Sequence, residues 1–409
     1  MRNLRIFPLC VICLTSAFLL GCGGSSGHTS STTTTTPTTQ TIASPGANVA
    51  SITVNGGPLG NYPDAAFVSV TVCVPGTATC QTVPDILVDT GSTGLRILSS
   101  VLTLPLPQQT TGGNPVVECF PFVSGYTWGP VQTADVEIAS EKASSVPIQM
   151  IGTTTSVPSA CSSLGASSDT LDTLGANGIV GVGLFAQDCG LPSAPTCPSA
   201  ANIYYECPST TSCTAISATA AQQVQNPVSL FTTDNNGVII ELPAVSGGEQ
   251  STATGSLVFG IGTQANNALG SATVYSTNSI GNFTTTYSGT PYSASFIDSG
   301  SNGYFFLDNT TTGMAYCDVT SSAPQGDGFY CPTSTENLSA TNQGVNGVSN
   351  SVGFSIADAN TLFTTNDFAL GDLGGPNPGA FDWGLPFFFG RNVFTGMPTA
   401  TYPNGYWAY

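Results

Sequence analysis

The sequence has a single histidine, His28, and it lies in a Ser/Thr tract. A Ser-His-Asp or Cys-His nucleophile needs an imidazole base beside it, so neither is available to the body of the chain. Histidine-rich zinc sites and the HExxH helix are excluded for the same reason. Lysine is as scarce. Lys142 stands alone and no glycine-rich loop precedes it, so there is no P-loop. In all, 5 basic side chains face 23 acidic ones across 409 residues, a net charge of −18. Nucleic acid needs a basic footprint and is excluded as a partner. Anionic lipid held by charge is excluded too. Only 7% of residues are charged and 40% are apolar, so the chain can bury a large core and is not generally disordered. The length suits two domains or one large β-rich unit. Any chemistry must come from carboxylates, hydroxyls, backbone groups or an oxygen-held metal.

The first residues read as an address. Arg2 and Arg5 precede an apolar run from Ile6 to Leu20 that is short for a membrane span and suits a signal segment. It ends Leu19-Leu20-Gly21-Cys22, which resembles a bacterial lipobox whose cysteine is lipidated and becomes the mature N-terminus. Gly23 to about Ser44 is Gly, Ser and Thr, a composition that behaves as a tether. The expected layout is a lipoprotein signal peptide at 1–21 and the lipidated Cys22 with its Ser/Thr-rich tether at 22–49. An N-terminal β-lobe at 50–267 and a C-terminal β-lobe at 268–409 follow. Gly23 after the cysteine resembles outer-membrane sorting, so the expected location is the bacterial cell envelope, lipid-anchored at the outer membrane. Removing residues 1–21 takes two cations with it and leaves a net charge of −20. Ten cysteines then remain besides Cys22, an even number that in an exported chain reads as disulfides. Short-range pairs are favoured, such as Cys73 with Cys80 and Cys317 with Cys331. Spacing alone does not fix the pairing.

The body reads as strands. Phe67 to Val74 alternates valine with small polar residues, the period of a half-buried strand. Pro75-Gly76 turns the chain and Gln81 to Val88 returns. Similar runs recur at Ala134 to Ala139, Val238 to Leu242, Ser256 to Phe259, Ala272 to Tyr275, Phe283 to Tyr287 and Ser293 to Ile297. Helical periodicity is confined to short pieces near Ala215 to Val224 and Ala357 to Phe363. The fold class is mostly β.

Two strand ends carry the same turn. Asp89-Thr90-Gly91-Ser92-Thr93-Gly94 and Asp298-Ser299-Gly300-Ser301-Asn302-Gly303 both read D-[ST]-G-S-[TN]-G. Each follows an apolar strand and opens another apolar run. One such turn is ordinary turn chemistry; two copies form an internal repeat of a site. Two carboxylates held side by side cannot both ionise and so share one proton. The ionised one can take a proton from a bound water while the protonated one polarises a carbonyl. Glycine lets the turns approach.

On these residues the sequence resembles the pepsin-like aspartic peptidases over most of residues 60–400. The resemblance implies a bilobed β fold with a cleft between two lobes. It implies catalytic roles for Asp89 and Asp298, a grip across the lobes by Thr90 and Ser299, and hydroxyl support of the outer carboxylate oxygens by Ser92 and Ser301, with Gly91 and Gly300 between them. Asn177 to Gly183 is similar to the segment that threads beneath the first aspartate loop. Trp383-Gly384 to Phe394 stands where the second lobe has its equivalent, and Gly255 to Gly260 resembles the strand before the lobe junction. Phe122 to Val131 resembles the flap hairpin, with Phe122 and Tyr126 as candidates for the flap residue. The chain departs from the family at Gly94 and Gly303, where glycine is avoided, at Pro386 in the second glycine segment, and at Arg96, which replaces an aromatic under the flap. The pattern also resembles a group of uncharacterised bacterial lipoproteins with pepsin-type motifs.

Three functions follow. The first is an endopeptidase acting on a peptide or protein substrate, with no cofactor and no metal, expected as a monomer held to the membrane by its lipid. The second is a pepsin-like binding protein that keeps the cleft without turnover. The third is a structural protein or a calcium site built on Asp234, Asp367, Asp372 and Asp382, although no EF-hand spacing is present and a solvated acidic face explains those residues as well.

Overall fold

The computed structural model describes residues 40–153, 155–189, 195–318 and 326–409. The expected signal segment, Cys22 and residues 23–39 of the expected tether lie outside the described residues. Residues 40–409 form one compact unit. It is built from a 17-stranded sheet and a 7-stranded sheet, with one further two-stranded pair.

The alternation read in the sequence sets the first hairpin. In Ala66–Cys73 the valines at 68, 70 and 72 are buried while Ser69 is exposed. This strand pairs antiparallel with Cys80–Asp89, and the register brings Cys73 opposite Cys80. The two form a disulfide. The second strand delivers Asp89 to its end, where the turn at Gly91 opens the strand Thr93–Leu98. The strand Gly178–Val182 then threads between the two, parallel to the first and antiparallel to the second. The 7-stranded sheet repeats this plan. Thr290–Ile297 leads to Asp298, Tyr304–Leu307 leads away, and Asn377–Trp383 lies parallel to one and antiparallel to the other. Each aspartate therefore sits on a loop pinned by a third strand. That is why the two copies of the motif share one geometry.

The boundary expected near residue 268 separates the two motif copies, but the large sheet crosses it. Gly237–Leu242 pairs with both Ala253–Phe259 and Arg391–Gly396, and Val274–Ser276 pairs with Tyr406–Ala408. Segments from the end of the chain thus complete the sheet that carries the first copy. Behind the second copy lies an aromatic core. Trp383, Phe381, Phe306 and Tyr304 are buried there, with Phe306 stacked 5.2 Å from Phe381. Helix is as sparse as the sequence implies. Ala215 to Val224 contains only the 3-10 turn Ala220–Gln222, and the later piece is Ala359–Leu362, capped by Asp358. No helix among the described residues is long and apolar enough to cross a membrane.

All ten cysteines of the body pair: 73–80, 119–161, 189–197, 207–213 and 317–331. Four of the loops are short. Cys119–Cys161 closes a separation of 42 residues and ties the strand Asn114–Phe122 to the turn of helix Ser159–Ser162. By loop entropy it is the largest contributor, roughly 4 kcal/mol. Replacing both cysteines by serine is expected to lower the urea midpoint more than replacing Cys207 and Cys213. Equal losses would contradict that ranking.

Candidate active site

The two motif loops meet. The Gly91 amide donates to Asp89 Oδ1 at 2.8 Å and to Asp298 Oδ1 at 3.1 Å, so one N–H joins both carboxylates. The Gly300 amide donates to Asp298 Oδ1 at 2.7 Å and the Ser92 amide to Asp89 Oδ1 at 3.1 Å. A Cβ on Gly91 would lie 2.5 Å from Asp298 Cγ, and one on Gly300 would lie 2.6 Å from Asp89 Cγ. Only glycine permits that approach. The hydroxyls beneath cross over. Ser299 N–H donates to Thr90 Oγ1 at 2.9 Å and Thr90 N–H to Ser299 Oγ at 3.1 Å. Ser299 Oγ then donates to the Val88 carbonyl at 2.7 Å and Thr90 Oγ1 to the Ile297 carbonyl at 3.3 Å. The arrangement is a near two-fold lattice that fixes one loop on the other. On the outer side Ser92 Oγ donates to Asp89 Oδ2 at 2.5 Å, and Ser301 Oγ lies 3.0 Å from Asp298 Oδ2.

All eight motif residues expected at the site from the sequence are thus brought together. The flap candidates are not equivalent. The hairpin Asn114–Phe122 to Gly125–Ile138 turns at Val123 and Ser124, and Val123 is fully exposed. Phe122 packs against the cluster of Phe67, Leu87 and Ile179, together with Tyr62. Tyr126 is buried instead among Cys119, Trp128, Cys161 and Tyr205. The phenol that feels the aspartates is Tyr62. It is pushed up to about 12 by burial and then by the charges of Asp89 and Asp298. Sequence reading missed it, because nothing in Asn61-Tyr62-Pro63 marks it as anything but a turn.

Arg96 has a definite place. It is fully buried, donates to Glu118 Oε1 at 2.7 Å, Asp188 Oδ2 at 2.8 Å and the Thr93 carbonyl at 2.6 Å, and lies 3.7 Å from the Phe120 ring centroid. Tyr204 donates to Asp188 and accepts from Val224 N–H at 2.7 Å. One guanidinium thus joins the first motif loop to the flap strand through Glu118. Gly94 is explained by the same region: its φ is +94° and a Cβ would strike Val224.

The acidic residues once open to a calcium reading or a solvated face divide differently. Asp234 and Asp382 are buried, while Asp367 and Asp372 are half-buried. Asp234 receives bonds from Thr263 and Gln264, and Asp382 meets Ser301 at 2.6 Å, so neither belongs to a solvated face. Among the described residues the only acid and thiol group close enough for a metal is Cys317, Cys331 and Asp358, and its cysteines are joined as a disulfide. Two cavities of about 280 and 330 Å³ are lined by neither aspartate of the motifs.

Asp298 is pushed well above the ordinary carboxylate range, first by burial, then by the charges of Asp89 and Asp382. Asp382 is raised to about 8, chiefly by burial, with Asp89 adding. A carboxyl raised in the folded state binds more protons folded than unfolded. Its contribution is fully present below the unfolded value near 3.8 and is lost as pH rises through the folded value. The melting temperature is therefore expected to fall by several degrees between about pH 4 and about pH 8. A flat or rising profile across that window would contradict these assignments.

This constellation on a bilobed β scaffold has the fold of the pepsin-like aspartic proteinases. A solved structure, the aspartic proteinase from Irpex lacteus, matches with a TM-score of 0.52 at 16% identity, covering 88% of this chain and 96% of that one. No curated protein matches the chain. Residues 44–409 match the model of a family described as protein of unknown function DUF3443, and the chain belongs to that family.

Proposed function

We propose that this protein is an aspartic-type endopeptidase, exported and lipid-anchored through Cys22 in the bacterial cell envelope at the outer membrane, with Asp89 and Asp298 as its catalytic pair. The observation that carries the reading is the single Gly91 amide bonded to both carboxylates. Carboxyls that close share a proton. A water held between them gives up a proton to the ionised aspartate and attacks the peptide carbonyl. The protonated aspartate donates to that carbonyl oxygen, and the tetrahedral intermediate collapses as the leaving nitrogen is protonated. No covalent intermediate is needed, which suits a chain with one histidine. Ser92, Ser301 and the amides of Gly91 and Gly300 hold the carboxylates in place, and Thr90 and Ser299 hold the loops. The substrate is an extended peptide in the cleft, covered by the hairpin tip with Phe122.

A second reading is a peptide-binding protein without turnover. It is favoured by the position of Tyr126, which stands beside the hairpin turn but has its ring buried among Cys119, Trp128, Cys161 and Tyr205. Calorimetry separates the two. An enzyme of this kind is expected to bind a peptide carrying a tetrahedral hydroxyl isostere at least about 100-fold more tightly than the matching amide peptide. Equal affinities would favour the binding protein.

A further inference from the structure

The strand that threads each motif loop carries a different kind of residue in the two halves of the site. On the first side Ile179 pairs with Leu87, two residues before Asp89. On the second, Asp382 pairs with Phe296, two residues before Asp298. An apolar residue in one copy is thus a carboxyl in the other, and that carboxyl is 6% exposed. Its Oδ2 lies 2.6 Å from Ser301 Oγ, whose other neighbour is Asp298 Oδ2 at 3.0 Å. Its Oδ1 is buried with no hydrogen-bond partner.

Counting protons limits the states open to this chain of oxygens. A serine hydroxyl has one proton and can donate one of the two bonds. The other bond must be donated by a carboxyl. If Asp298 and Asp382 were both ionised, one of the two short contacts would have no hydrogen in it. A neutral Asp382 also suits its partnerless Oδ1, since a bare buried anionic oxygen is costly. Ser92 bonds Asp89 at 2.5 Å.

We infer that Asp382 is a positioning residue of the aspartate pair, fixing Ser301 and exchanging one proton with Asp298 through its hydroxyl. This rests on the peptidase reading for its consequence but not for its chemistry. In the exchange, Asp382 gives its proton to Ser301 Oγ as Ser301 gives its own to Asp298 Oδ2. One O–H bond breaks at Asp382 and one forms at Asp298, Ser301 ends with the proton count it began with, and negative charge moves from Asp298 to Asp382. The charged groups facing Asp382 are carboxyls: Asp298 through Ser301, and Asp89. The strands on either side present Phe296 and Phe305 at the paired positions. No cation answers it among the described residues. Arg96 and Lys142 pair with other acids, and Arg391 donates to the Phe387 carbonyl over that ring. Burial raises Asp382 to about 8, in keeping with a protonated resting state. The functional result is a third carboxyl that can return a proton to Asp298 toward neutral pH.

The test uses the purified protein with 13C-labelled aspartate carboxyls, as wild type, Asp382→Asn and Ser301→Ala, with thermal melts to confirm folding. In the wild type one buried carboxyl is expected to stay protonated above about pH 6 and to follow a curve shared with a second carboxyl. That resonance is absent in Asp382→Asn, and the shared curve separates in Ser301→Ala. Where cleavage is measurable, Asp382→Asn is expected to move the alkaline limb of kcat/KM about one unit toward acid, because the carboxyl that exchanges its proton with Asp298 through Ser301 is gone. An Asp382 fully ionised at about pH 5, or a curve unchanged in Ser301→Ala, overturns the inference whether or not the protein cleaves peptides. Absence of cleavage with the shared titration intact removes the peptidase reading alone. An alkaline limb that stays in place in a folded, active Asp382→Asn also overturns the inference, since a merely structural carboxyl would leave it there.

Discussion

Asp89→Asn and Asp298→Asn are each expected to lower peptide cleavage by about 1,000-fold or more, with the fold retained. The size follows from the chemistry. One carboxyl must be charged and the other neutral in the same turnover, so removing either proton site removes general acid and general base action together. Asparagine is nearly isosteric, and its oxygen can still accept the Gly91 and Gly300 amides that now bond Asp89 Oδ1 and Asp298 Oδ1. The substitution also relieves the repulsion between two close carboxyls. Melting temperatures at about pH 7 are therefore expected to hold or rise, since burial and Asp89 both disfavour the charged form of Asp298. The check is paired: cleavage rate on an unfolded protein and melting temperature for the wild type and both variants. Cleavage that survives either change would mean that the pair is not the catalyst.

The largest expected effect on stability lies at Arg96. Arg96→Met leaves Glu118 and Asp188 buried without their cation, and the expected loss is about 3–5 kcal/mol at neutral pH. Burial opposes the charge of Arg96, but Glu118 and Asp188 hold it protonated. Asp188 is itself pushed upward by burial and by Glu118. Without the guanidinium Asp188 takes up a proton more readily, so the deficit is expected to shrink toward about pH 4. Combining Arg96→Met with Glu118→Gln and Asp188→Asn should recover most of it, because the unpaired charges are then gone. Urea unfolding at the two pH values checks this. A loss below about 1 kcal/mol at neutral pH would mean the ion cluster does not support the base of the hairpin.

The parts of the site that the sequence displays are those made by neighbours in the chain. Strand alternation from Phe67 onward, the turn at Asp89-Thr90-Gly91 and its copy at Asp298 are local patterns, and the structure carries them as strands ending in matched loops. The close disulfides 73–80 and 317–331 belong to the same local class. What stayed hidden depends on distant partners. Arg96 meets Glu118 and Asp188 at separations of 22 and 92 residues, and a lone arginine in a strand does not announce two buried acids. Tyr62 has no motif; its burial near the charges of Asp89 and Asp298 is set by residues distant in the chain. Asp382 did leave a trace, as one acid inside the apolar run Phe381 to Phe389. An acid in such a run is a candidate for a buried, protonated carboxyl rather than a solvated one.

The proposed reaction is hydrolysis of peptide bonds by a water held between Asp89 and Asp298. The most direct measurement is the rate of cleavage of an unfolded protein by the wild type from about pH 3 to about pH 8, with the cut bonds identified by mass spectrometry. The expected result is internal cuts, a bell-shaped rate whose limbs belong to the pair, and inhibition by a hydroxyl-isostere peptide. No cleavage at any pH in that range, by folded protein that still binds the peptide, would contradict it.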